Sequence, residues 1–180
     1  MDPNQIATRT GHQDIDEILT RLAGGLVESL ADRLAGFYLT GSLTYGGFDR
    51  GSSDIDYLVV LNEPLPGPQR AALVALHDDV GMSFPEWRER IEGSYITRDM
   101  LPNTMPLPQG RPYVNQGIFW DPDPPYGNEW LLNLHVLREC GIALIGPDLL
   151  ELIGPIAIED VREASKRDLF EEWLPKANDS

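Results

Sequence analysis

GFYLTGSLTYGGFDRGSSDIDYLVVL, residues Gly36 to Leu61, is the stretch from which the fold is read. Its second half ends in Tyr57-Leu58-Val59-Val60-Leu61, a continuous apolar run closed by Asn62-Glu63-Pro64. Such a run reads as a strand covered on both faces. Asp54 and Asp56 fall at its leading end. Residues two apart on a strand share a face, so both carboxylates aim at one point while Ile55 faces away. Two carboxylates within ~5 Å of each other repel unless one is protonated or a cation lies between them. Mg²⁺ suits the place, because it is usually held by one or two carboxylates plus phosphate oxygens and water. Asp54 and Asp56 are therefore the candidate metal ligands.

Gly36 to Thr40 reads as the neighbouring strand, followed by a turn at Gly41-Ser42. Glycine lets backbone approach a phosphate closely, and Ser42 adds a hydroxyl and an N–H. The intervening Leu43 to Ser53 is rich in Gly and Ser; it reads either as a surface connection or, given its flanks, as a phosphate-cradling loop. It holds neither Gly-Lys-Ser/Thr nor GxGxxG, which excludes a Walker loop and a dinucleotide fingerprint.

Outward from this stretch, Ile15, Ile18, Leu19, Leu22, Leu26, Leu30 and Leu34 recur at helical spacing over Asp14 to Leu34. A second helix is predicted from Gln69 to Val80, after the proline-rich break at 64–68, and a strand within Glu89 to Thr97. A helical crossover favours parallel pairing of adjoining strands. Trp130 to Cys140 reads as a helix, Gly141 to Pro147 as an apolar strand, and Glu159 to Trp173 as a last helix. Prolines break Met100 to Tyr126 into short pieces; Tyr113, Phe119, Trp120 and Tyr126 there either stack on a ligand ring or pin the segment to the core.

The run Leu39-Thr40-Gly41-Ser42-Leu43, Gly46-Gly47-Phe48, Ser52-Ser53-Asp54-Ile55-Asp56 resembles the polymerase-β-type nucleotidyltransferase superfamily, and within it the aminoglycoside adenylyltransferases acting on streptomycin and spectinomycin. A closing Gly-x-x-Leu-x-Gly-Pro at 141–147 extends the resemblance. It implies an α/β (α+β) fold, a mixed sheet flanked by helices, with transfer of a nucleoside monophosphate, AMP from ATP, to a hydroxyl of a small acceptor such as an aminoglycoside. By matching position, Gly41, Ser42 and Ser53 would bind the nucleotide, and Asp54 and Asp56 would bind Mg²⁺ and serve catalysis. In related enzymes a later strand carries the general base. Glu92 fits it best, with Glu89 and Glu86 as rivals.

The residues themselves support the metal and the phosphates; the acceptor rests on the resemblance. Residues 1–155 are expected to form the nucleotidyltransferase domain and 156–180 a helix and tail, most of the family's carboxy-terminal helical domain being missing. Lys166 and Arg167 either offset triphosphate charge or form a solvated face. Two alternatives accompany this reading: an antitoxin-like protein adenylyltransferase acting on a partner toxin, and a nucleotide-binding module without turnover.

With 180 residues, 42% hydrophobic and 24% charged, the chain suffices for one substantial core. Its net charge of −15 argues against a nucleic-acid surface and suits a cationic acceptor, though acidity also serves solubility. Cys140 is the single cysteine, so no internal disulfide is expected, and a buried thiol in a reducing compartment is. Met1-Asp2-Pro3-Asn4 lacks a signal pattern and no long apolar span occurs, so a cytoplasmic protein is expected, off the membrane, as a homodimer or with a partner protein.

Overall fold

The computed structural model describes residues 10–101, 105, 108, 110–120 and 124–178. Met1 to Asn4, parts of the proline-rich segment and Asp179-Ser180 lie outside the described residues. Six strands form one mixed sheet: β1 (Leu34–Thr40), β2 (Ile55–Leu61), β3 (Ile91–Thr97), β4 (Tyr113–Asn115), β5 (Ile118–Trp120) and β6 (Ile142–Ile145), in the order β5-β4-β3-β2-β1-β6. Only β2 and β3 pair in parallel. They are joined by α3 (Gly67–Ser83), which begins with Pro68 in its first turn and stops before Pro85. Every other ladder is antiparallel.

Strand periodicity gives the sheet two differently covered faces. On one face Phe37, Leu39, Ile55, Tyr57, Val59, Ile91 and Tyr95 meet α1 (Gln13–Leu30) and α3. The apolar stripe of α1, from Ile15 to Leu30, is buried there, while the positively tilted backbone of Ala31 (φ 47°) ends the helix. Gly25 lets the two helices close, since a Cβ there would lie 2.3 Å from Leu76 Cδ1. His77 is buried in this layer, its Nε2 3.1 Å from the Tyr57 hydroxyl and 2.8 Å from that of Tyr95. Burial pushes His77 down to about 4, so it packs as a neutral ring.

On the other face Tyr38, Leu58, Val60 and Ile96 meet Trp130, Leu134 and Leu137 of α4 (Trp130–Cys140), with Leu149 and Ile153 beside them. Asp56, two residues before Leu58, shares this face at the strand's open end. The last part of the chain departs from a single helix over 159–173: α5 (Ile158–Arg167) passes into a π-helical turn (Asp168–Trp173) and a short terminal helix (Leu174–Asn178). Ala164 is fully buried, whereas Leu169, Phe170 and Trp173 are exposed. Cys140 is half-buried, not enclosed as expected, because it closes α4 where the chain turns out to Gly141.

Leu26 is fully buried while its neighbour Val27 is 54% exposed. Leu26→Ala is expected to cost about 3 kcal/mol in urea unfolding, and Val27→Ala less than about 0.5 kcal/mol.

Candidate active site

Where β1 ends and β2 and β3 begin, the sheet lies open below α4 as a cleft of about 510 Å³. Its floor is a cross-strand row. Thr40 of β1 is registered with Asp56 of β2, and Asp56 with Glu92 of β3. The pairing of Gly93 with Val114 sets Asn115 of β4 next in line, and all four residues face the cleft. Leu58, Ser94 and Tyr113 form the second row behind it.

Strand β2 begins at Ile55, so Asp54 lies in the preceding loop and not on the strand. Aspartate is a poor strand former, in keeping with its place just ahead of the ladder. Gly41 is likewise more than a plain turn residue. Its φ of 71° is left-handed, and Ser42 then opens a one-turn helix, α2 (Ser42–Tyr45). A Cβ on Gly41 would lie 2.0 Å from Asp56 Oδ2, so only glycine permits this approach of backbone to carboxylate. The Ser53 hydroxyl accepts the Asp49 N–H at 2.9 Å, and the Ser42 carbonyl accepts the Gly47 N–H at 3.2 Å. Gly41, Asp56 and Glu92 line the cleft; Ser42, Ser53 and Asp54 are their half-buried sequence neighbours.

Electrostatics mark the same place. Burial, then the charges of Asp54 and Glu92, push the Asp56 carboxyl up to about 6. Burial and Asp54 also raise Glu92, opposed by a hydrogen bond from the backbone of Gln116. That backbone belongs to the β4–β5 turn, where Gln116 (φ 50°) and Gly117 (φ 71°) are both left-handed. Gly117 N–H donates to the Ile91 carbonyl at 3.1 Å, seating the turn at the start of β3. The hairpin and its contact with Glu92 were missed in the sequence, although Tyr-Val-Asn-Gln-Gly-Ile-Phe-Trp has a turn glycine between two strand-forming runs.

The rivals Glu86 and Glu89 are exposed residues before β3 and do not line the cleft. Tyr113 and Tyr126 do line it. Trp120 stacks on Tyr113 with centroids 5.9 Å apart, Tyr126 packs on Trp130 at 4.6 Å, and Phe119 turns to the opposite face beside Tyr95. Lys166 pairs with exposed Glu163 at 2.6 Å, and neither it nor Arg167 reaches the cleft wall.

Among the described residues no three His, Cys, Asp or Glu side chains form a metal-binding group. The donor set still fits Mg²⁺, which asks one or two protein carboxylates and takes its other oxygens from phosphate and water. A buried carboxyl held near 6 by burial and by two neighbouring acids is the chemistry a divalent cation relieves.

Residues 23–101 match the family model described as the nucleotidyltransferase domain. This stretch, under half of the chain, carries the nucleotidyltransferase domain and supports the enzyme class expected from the sequence. The matched span holds β1 to β3, the Gly41-Ser42 corner and all three acids. Spectinomycin adenyltransferase AAD(9) from Enterococcus faecialis, solved with ATP and spectinomycin, has the same fold: TM-score 0.68 at 22% identity, covering 87% of this chain and 68% of that one. A toxin–antitoxin structure with AMP-PNP aligns at TM-score 0.41 and 14% identity, over 89% of this chain and 97% of that one. Likeness at that level is too slight to equate the two folds. No curated protein matches the chain by sequence. No helix among the described residues is long and apolar enough to cross a membrane.

A carboxyl whose folded pKa lies above its unfolded value stabilises the fold below the unfolded pKa, and that contribution is lost as pH rises through the folded one. For Asp56 the window runs from the ordinary 3.8 to about 6. In metal-free thermal melts, Asp56→Asn should therefore gain on the wild type between pH 4 and 6, by on the order of 2 kcal/mol, then hold that lead. A constant difference across this window would contradict the raised Asp56 carboxyl.

Proposed function

We propose that this nucleotidyltransferase moves AMP from ATP, with Mg²⁺, to a hydroxyl of a small cationic acceptor. The observation that carries this reading is the register that sets Asp56 beside Glu92, with Gly41 pressed against the Asp56 carboxylate. Asp54 and Asp56 would hold the metal, and the Gly41-Ser42 corner and Ser53 would lie along the triphosphate. Mg²⁺, when bound, would polarise the α-phosphoryl group and offset the charge that develops on it.

Glu92 is suited to take the proton of the attacking hydroxyl. It lies one strand from the metal acids, and its Gln116 hydrogen bond favours the charged, proton-accepting form against burial and Asp54. The acceptor hydroxyl would approach over Glu92, between the phosphate and the aromatic wall of Tyr113 and Tyr126. Of the other cleft-lining residues Glu129 adds a further negative charge and Arg111 a positive one. Arg111 is occupied: its guanidinium sits 3.6 Å over Tyr126 and donates to the Pro124 carbonyl at 2.9 Å. The acidic cleft and the net charge of −15 together favour a cation. Because the fold neighbour was solved with ATP and spectinomycin, that pair is the first to test. A reducing cytoplasm fits the lone cysteine.

Incubation with Mg²⁺, ATP and a panel of aminoglycosides and aminocyclitols, followed by mass measurement, should show an adenylyl gain on one acceptor with pyrophosphate released. Asp56→Asn should abolish the gain. Glu92→Gln should lower kcat by roughly 10²–10⁴-fold while ATP binding is spared. Wild-type transfer by Glu92→Gln would remove it as the base.

A further inference from the structure

We propose that Arg90 is the positioning residue for the Asp54 side of the metal site, an inference that rests on the Mg²⁺-nucleotide reading above. Arg90 ends the tight turn Arg88–Arg90 that leads into β3, two residues ahead of Glu92. Its guanidinium donates to the carbonyl of Ser53, the residue before Asp54. It also lies 4.4 Å over the ring of Trp87, which is 3% exposed. Trp87 Nε1–H in turn donates to Asp14 Oδ2 at 2.7 Å, and Asp14 receives both arms of Arg50 at 3.0 and 2.7 Å. Arg50 belongs to the same loop as Ser53, so the loop is tied to α1 at Arg50 and to the β3 turn at Ser53.

Inside these two ties the loop is internally bonded. Asp49 Oδ1 accepts the Gly51 N–H at 2.8 Å and the Ser52 hydroxyl at 3.1 Å, while Ser53 N–H donates to the Asp49 carbonyl at 2.8 Å. The next residue is Asp54. It lies just outside strand β2, and the charge of Asp56 repels it. Parallel β2 and β3 have their leading ends joined by no short turn. Arg90 supplies that cross-link, from the base-bearing strand to the residue beside the metal acid. A planar guanidinium can stack on Trp87 and donate to Ser53 at once; an ammonium can make the second contact but not the first in the same way.

The test is binding, without an acceptor. The affinity of α,β-methylene-ATP is measured by calorimetry across Mg²⁺ concentrations for wild type, Arg90→Met and Arg90→Lys, with melting temperatures alongside. Arg90→Met is expected to raise the Mg²⁺ midpoint about tenfold, the lower end of what loss of a metal-supporting partner costs, with Mg²⁺-free nucleotide binding unchanged. Arg90→Lys should fall between the two. An unshifted midpoint in Arg90→Met, or equal loss of affinity with and without Mg²⁺, would overturn the assignment. If Arg90→Met does not fold, Arg90→Lys decides: a midpoint raised about threefold or more supports it, an unshifted one overturns it. A wild type whose nucleotide affinity ignores Mg²⁺ would instead sink the metal reading itself, and this inference with it.

Discussion

Mutual repulsion among Asp54, Asp56 and Glu92 is the constraint around which this end of the molecule is built. Burial, then the neighbouring acids, raises the Asp56 carboxyl, burial and Asp54 raise that of Glu92, and the fold must oppose their separation. It does so with backbone. Asp56 is held by ladders on both sides, to Thr40 and to Glu92, and Gly41 leaves it no competing side chain. Glu92 is steadied by the β4–β5 turn, whose left-handed residues press onto the start of β3. Asp54, outside the ladder, depends on the loop and its ties.

The remainder of the sheet makes this arrangement affordable in stability. Helices α1 and α3 bury one face from edge to centre, and α4 buries the other except over the acids. Because residues alternate along β2, a single strand anchors two cores through Tyr57, Val59, Leu58 and Val60, yet presents Asp56 to the cleft. The protein thus concentrates its unfavourable electrostatics at a point where bound cation and phosphate would reverse their sign of effect.

Much of the fold was legible because its signals are local. The apolar run after Asp56 named the central strand, the stripe from Ile15 to Leu30 named the first helix, and Pro64 to Pro68 marked the entry to the crossover helix. The mixed sheet flanked by helices follows from these together with the family resemblance. What escaped was set by register and by long-range hydrogen bonds. Glu92 was preferred over Glu86 and Glu89 on the family resemblance, but its exact level with Asp56 depends on where β3 slides against β2, which no local pattern reveals. The β4–β5 hairpin was hidden by the surrounding prolines, and the role of Arg90 by a tether to Ser53 that spans 37 residues. The break of the last helix into a π-turn at Asp168 likewise has no signature in an acidic, helix-favouring stretch.

The proposed convergence of Asp54 and Asp56 on one cation, beside Glu92, is most directly tested by carbon-13 NMR of the Asp56 carboxyl, titrated against pH with and without Mg²⁺ and nucleotide. Without metal it should titrate near 6, and with Mg²⁺-nucleotide it should stay ionised well below pH 4. A carboxyl that titrates like an ordinary aspartate in both conditions would contradict that convergence.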